Sequence, residues 1–278
     1  DGEVRRENYI HYHCRHIDGV DFNTLTEKLA RTGNYKCWLP TIVSKVSAQD
    51  SFLVHDWEES QKISSKPIKI TLPGPMTIAD TIANTFYTSK DKMGFDLAEV
   101  INVEIKRLQK AGCKYIQVDE PLFARKPKEA IDFGINNLAK CFEGIESKEI
   151  EKITHICCGY PDKIDAINYP KAPLNSYHKI ADLLNQSVID TVSLEDAHRY
   201  NDLSLLEKFS DTKIIFGLIK IASSKEETIS EIQSRVNEAT KYIKKEQLIA
   251  APDCGLGHLP RDLAKRKLTI MVDAVKNI

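Results

Sequence analysis

The chain has 278 residues, 42% hydrophobic and 28% charged, which suits one large α/β domain or two smaller ones, with a substantial core. A formal net charge of −1, with bases and acids interspersed, gives no field to gather nucleic acid or a membrane surface. No apolar run approaches the about 20 residues that cross a bilayer, and the opening "DGEVRRENYIHYHC" lacks a signal-peptide core.

In chain order, β-branched runs read as strands at "KCWLPTIV" (36–43), "IKITL" (68–72), "YIQVDEP" (115–121), "ITHICCG" (153–159), "DTVSLED" (190–196), "KIIFGLIK" (213–220) and "LIAAPDCG" (248–255). Helical patterns alternate with them. "DLAEVINVEIKRLQKAG" (96–112) repeats its apolar residues at helical spacing and closes on a Gly suited to the C′ position. "SKEETISEIQSRVNEATKYI" (224–243) opens with Ser224 and Glu227 at capping-box spacing, and "PRDLAKRKLTIMVDAVKNI" (260–278) starts on a Pro tolerated at the first helical position. Strands alternating with helices predict βαβ units on a parallel sheet. With no linker and no repeat, the pattern fits one (β/α)8 TIM barrel over 1–278, ahead of a doubly wound sheet; about 250 residues is typical for such a barrel. The strand count is one short of eight, so the expectation is a first strand upstream of Asp1. Seven cysteines (14, 37, 113, 141, 157, 158 and 254), odd in number and irregular in spacing, point to a reducing, cytoplasmic setting with buried thiols or metal ligands.

Polar residues collect at the C-terminal ends of these strands: Asp119 and Glu120, His155 and Cys157, Glu195, and Cys254. In a barrel all such ends open on the face that carries the active site. In an extended run His155 and Cys157 share one side and Cys158 takes the other. One imidazole, two thiolates and one carboxylate make a tetrahedral zinc set, with bonds of about 2.0–2.3 Å. A zinc so rich in anionic ligands activates water poorly and suits the holding of a substrate thiolate, with Glu195 the ligand that yields. Structural roles compete with this assignment. A strand Cys is usually a small buried apolar group, the expectation for Cys113, Cys141 and Cys158. Glu195 has Arg199 as a possible ion-pair partner, "PDCG" could simply end a strand, and an acid before Pro121 could be a turn or helix cap. The agreement of position across several strands favours the metal site. Asp119 on the same rim suits a cationic group such as an amino acid's ammonium.

The stretches "DGEVRRENY" (1–9), "KITLPGPMT" (69–77), "AGCKYIQVDEP" (111–121), "THICCGYP" (154–161), "SLED" (193–196) and "PDCGLGHLPRDLAKRKL" (252–268) resemble, in order, the catalytic barrel of the cobalamin-independent methionine synthase family, especially its short single-barrel relatives. The resemblance implies a (β/α)8 barrel that transfers a methyl group to the thiol of homocysteine, with zinc on His155, Cys157, Glu195 and Cys254. It also implies that Glu3 and Asp119 grip the ammonium of homocysteine and that a methyl-folate is the donor. Two departures bear on that donor. "GPMTIADTIANTFY" (74–87) lacks the family's folate-associated Trp, with Thr81 or a neighbour in its place, and "GLIKIASS" (217–224) has Lys220 and Ala222 where the large enzymes carry an Asp and a His for proton delivery. A methyl-corrinoid donor is therefore the alternative. Lys220 or the Tyr177–His178 pair are candidates to stabilise the leaving group. A zinc thiol alkyltransferase of the coenzyme M type and a non-catalytic zinc barrel are the competing readings.

Overall fold

The structure is a computed structural model that describes residues 6–30, 35–166, 169–276 and 278. Glu3, expected to bind substrate, lies outside the described residues. In chain order the elements are α1 (Tyr9–Cys14), β1 (Ile17–Ala30), β2 (Tyr35–Ala48), α2 (Leu53–Lys62), β3 (Lys69–Pro73), α3 (Pro75–Thr81), β4 (Ala83–Asn84), α4 (Lys90–Ala111), β5 (Tyr115–Asp119), α5 (Leu122–Arg125), α6 (Pro127–Glu129), α7 (Ile135–Cys141), β6 (Glu151–Ile156), α8 (Ser176–Asn185), β7 (Thr191–Leu194), β8 (Lys213–Ile219), α9 (Ile229–Ala239), β9 (Leu248–Pro252) and α10 (Arg261–Val275). Their contacts divide the chain into two compact units, residues 1–120 with 132–152, and residues 121–131 with 153–278. Among the described residues no helix is long and apolar enough to cross a membrane.

In the first unit β3 and β5 pair in parallel, with Ile70 opposite Ile116 and Leu72 opposite Val118, all four buried. Those four share one face, and Thr71 and Gln117 on the opposite face are buried too, so both faces are removed from water, as expected for strands covered by helices. Helix α4 ends where its sequence says it should: Gly112 takes φ 101°, and its N–H returns to the carbonyls of Gln109 and Leu108. The run 36–43 corrects one expectation. It belongs to β2, which pairs antiparallel with β1 as a long hairpin and, at Thr41 and Ile42, parallel with the short β4, in a sheet separate from that of β3 and β5. Glu120 settles as a structural group. Its carboxylate accepts from the backbone N–H groups of Met76 (2.9 Å) and Thr77 (3.0 Å) and from Thr77 Oγ1 (2.7 Å), which caps the first turn of α3. Gly74 makes room for it, since a Cβ there would stand 2.3 Å from the Glu120 carboxyl group.

In the second unit β6, β7, β8 and β9 run parallel in that order. Ile153, Val192, Leu194, Ile214 and Phe216 are buried along them, each worth about 1.5–3 kcal/mol in transfer from water. The capping box of α9 is built by Thr228 and Glu231, four residues beyond the expected Ser224 and Glu227. Ser/Thr-x-x-Glu occurs three times here, from Ser223, Ser224 and Thr228, and only the last copy directly precedes the continuous apolar stripe. Pro260 stands at the cap of α10, so Arg261 is the first helical residue.

Candidate metal centre

Within the second unit, three strand ends deliver the chemistry. Strand β6 stops at Ile156, with Cys157 directly after it; Glu195 follows β7; Cys254 follows β9 by two residues. His155 lies in register with Ser193, and its Nδ1 is hydrogen-bonded to Ser193 Oγ at 2.9 Å. That bond fixes the imidazole and makes Nε2 the nitrogen to face a metal, the usual arrangement for a ligating His. One ligand atom each from His155, Cys157 and Cys254 falls within 4.8 Å of the other two. A tetrahedral zinc with bonds of about 2.0–2.3 Å has ligand–ligand edges of about 3.5 Å, so small side-chain movements complete the set. The carboxylate of Glu195 stands outside this group of three. It is nonetheless close enough for the charge of Cys157 to act on it.

The electrostatics of the place fit a cation. The Cys157 thiol is pushed far up, first by its hydrogen bond with Cys254 and then by burial. Glu195 is pushed up to about 10, by burial first and then by Cys157 and Asp253. Both of its oxygens are buried without a hydrogen-bond partner. Such a desolvated acid is costly unless a cation meets it. Arg199 does not do so, contrary to the structural alternative: it donates to the carbonyl of Ala172 and to Cys158 Sγ (3.4 Å). Among the described residues the cation that meets it is Lys171, whose Nζ lies 4.0 Å from Glu195 Oε2. Cys14, Cys113, Cys141 and Cys158 are buried, as expected of core thiols.

Two residues hold the site in shape, and the first of them, Asp253, is one that the sequence did not single out. Asp253, fully buried, accepts from the backbone N–H groups of Asp196 (2.8 Å), Ala197 (2.8 Å) and His198 (2.7 Å). It therefore ties the turn bearing Cys254 to the loop bearing Glu195. Gly217 on β8 is small for its sake, because a Cβ there would lie 2.0 Å from Asp253 Oδ1. Tyr177 links the other strands. Its hydroxyl donates to the carbonyl of Ile156 (2.7 Å) and accepts from the N–H of Glu195 (3.2 Å). This removes Tyr177 from the candidates for leaving-group stabilisation, since it is buried and its hydroxyl is engaged. Tyr177→Phe leaves two buried backbone groups without a partner. The expected cost is about 2 kcal/mol in denaturant unfolding, with easier loss of bound metal to a chelator.

Lys220 is exposed, and its N–H donates to Glu227 Oε1 at 2.9 Å. At Ala222, where the resemblance expects a missing His, the N–H donates to His198 Nε2 at 3.2 Å. An imidazole from the loop after β7 thus borders that position, held neutral with its pKa lowered to about 4 by burial and by the charges of Lys171, Lys220 and Lys267. In the first unit Asp119 is buried and oriented by Tyr9 Oη and by Gln117 Nε2 (2.6 Å), each on a different oxygen. A carboxylate so held keeps lone pairs for a further donor.

Comparison with known proteins agrees with the geometry. A family model described as the catalytic domain of cobalamin-independent synthase matches residues 1–277. A methionine synthase of Saccharolobus solfataricus is 31% identical over 279 residues, covering 99% of this chain and 77% of the relative. The structure of a B12-independent methionine synthase from Shewanella sp. W3-18-1, in complex with selenomethionine, superposes with a TM-score of 0.88 at 31% identity, covering 99% of this chain and 80% of that one. A putative vitamin-B12 independent methionine synthase from Listeria monocytogenes shares the fold, at 20% identity and a TM-score of 0.74. The architecture is accordingly the (β/α)8 TIM barrel, and the class of protein is a methyltransferase. More particularly, the chain belongs to the cobalamin-independent methionine synthase family through its catalytic domain.

Proposed function

We propose that residues 1–278 act as a single zinc-dependent barrel that transfers a methyl group to the thiol of homocysteine, giving methionine. The observation that carries this reading is the meeting of His155, Cys157 and Cys254 ligand atoms within 4.8 Å, beside a buried carboxylate. Glu195 is the fourth ligand in this reading, and the one that yields to the entering thiol. A zinc ion held by this set supplies the positive charge that keeps the substrate sulfur a thiolate at neutral pH. Asp119 and Glu3 are assigned to the ammonium of homocysteine, the first because its carboxylate is already aimed by Tyr9 and Gln117. In the transfer the sulfur forms its bond to the methyl carbon as the bond from that carbon to the donor breaks. The electron pair stays with the donor, which then takes up a proton. His198, neutral and bordering Ala222, is the nearest imidazole of the Ala222 loop.

The test mixes zinc-loaded protein and homocysteine with methyl-folate, as mono- and polyglutamate, or with methylcobalamin, and measures methionine. Product from a folate donor is the expected result. Product only from methylcobalamin would reassign the donor, and product from neither would remove methionine synthesis. Coenzyme M offered in place of homocysteine should accept no methyl group, because it has no ammonium for Asp119 to hold.

A further inference from the structure

Beside the centre a lysine and a glutamate meet without a hydrogen bond between them. Lys171 Nζ is buried with no partner, and so are both oxygens of Glu195, yet the two face each other at 4.0 Å. A lysine in that place is no accident of a loose loop. Ala172 donates its N–H to the carbonyl of Cys158 at 2.8 Å, and Arg199 holds the carbonyl of Ala172. Gly159 lets the Pro170 carbonyl pass so close that a Cβ would meet it at 2.3 Å. The segment carrying Lys171 is thus bolted to the one that carries Cys157. The ammonium also lies over the ring of Tyr169, 4.8 Å from its centroid, which helps to hold a cation where water is scarce.

Glu195 therefore has two cations to choose between: a metal at the His155, Cys157 and Cys254 cluster, or Lys171 at 4.0 Å. In this structure its carboxylate stands outside the three-residue cluster and within ion-pair reach of Lys171. We infer that Lys171 is a positioning residue that competes with the metal for Glu195 and so makes Glu195 the exchangeable ligand. The inference rests on the zinc reading above and adds to it. It explains how a carboxylate can leave a metal without being stranded in a dry site: a second positive charge lies 4.0 Å from it. Without Lys171, the carboxylate released by an entering thiol would be a buried, unpaired anion, among the most costly arrangements in a protein interior.

The test measures zinc retention and not turnover. Zinc is withdrawn by a chromophoric chelator from wild type, Lys171→Met, Lys171→Arg, Glu195→Gln and the Lys171→Met/Glu195→Gln double variant, with circular dichroism confirming the fold of each. In Lys171→Met the carboxylate has only the metal left, so zinc loss should slow by about tenfold and homocysteine binding should weaken by a similar factor. Lys171→Arg should act in the opposite direction, because a guanidinium grips a carboxylate by two hydrogen bonds and draws Glu195 away from the metal, speeding zinc loss. In the Glu195→Gln background the Lys171→Met effect should vanish. The inference is overturned if Lys171→Met loses zinc as fast as wild type or faster. It is equally overturned if the effect persists in the Glu195→Gln background, which would mark plain repulsion between two cations. Should Lys171→Met not fold, the sign of the Lys171→Arg effect decides. Failure of the zinc reading itself shows separately, as wild-type protein that binds no zinc at one ion per chain.

Discussion

Cys254→Ser is expected to reduce methionine formation by about a thousandfold or more, beyond the about 10–100-fold that outer-shell partners of a metal are worth. The reason is the charge balance of the cluster. Cys157 and Cys254 share a hydrogen bond, and the Cys157 thiol, pushed far up by that bond and by burial, ionises only where a cation takes up the charge. A serine hydroxyl at 254 does not ionise near neutral pH, so the dication loses one of its two thiolates. Zinc content measured by metal analysis should fall from one per chain to a small fraction. The thermal midpoint should change little, because Cys254 is only partly buried and its neighbour Asp253 keeps its three donors. A folded, metal-free, inactive barrel is the signature of a catalytic site. A chain that unfolds when zinc is lost would instead mark a structural one. Full activity in Cys254→Ser would sink the assignment of this cluster as the centre.

Asp253→Ala should be the most damaging substitution to the fold of the second unit. It strips the acceptor from three buried N–H groups, each of which costs about 1–3 kcal/mol when left unmade. The sum rivals the about 5–15 kcal/mol by which a whole domain is stable. We expect the thermal midpoint to drop by about 10 °C or more and zinc to be lost even where the chain folds, since the Glu195 loop is no longer tied to the Cys254 turn. Asp253→Asn should be milder. With its oxygen in the Oδ1 position it still accepts from Asp196 and Ala197, and only the bond from His198 is replaced by a clash of donors. Equal damage from both substitutions would show that negative charge, and not the count of acceptors, is what the loop requires.

Much of this was written in the strands themselves. Short β-branched runs separated by helical repeats marked β3 and β5 to β9, and the acids, thiols and imidazole at their ends marked the rim. The features that escaped share a physical cause, which is that their meaning depends on a partner remote in sequence. The run 36–43 has the composition of any strand, and only its antiparallel pairing with β1 makes it a hairpin. Asp253 reads as part of a turn until the backbone of 196–198 is brought beneath it. Lys171 lies in a connecting segment with no periodicity, and nothing in its neighbours announces a buried ammonium. Glu120 went the other way. Beside Asp119 in "QVDEP" it looks equally functional, but its carboxylate is spent on the first turn of α3.

The division of labour along the chain has a consequence for how the enzyme comes to be made. His155 and Cys157 leave the ribosome well before Cys254, which must wait for β8, α9 and β9 to be synthesised. A nascent chain therefore lacks the second thiol of the cluster until the Asp253 turn has been made and docked.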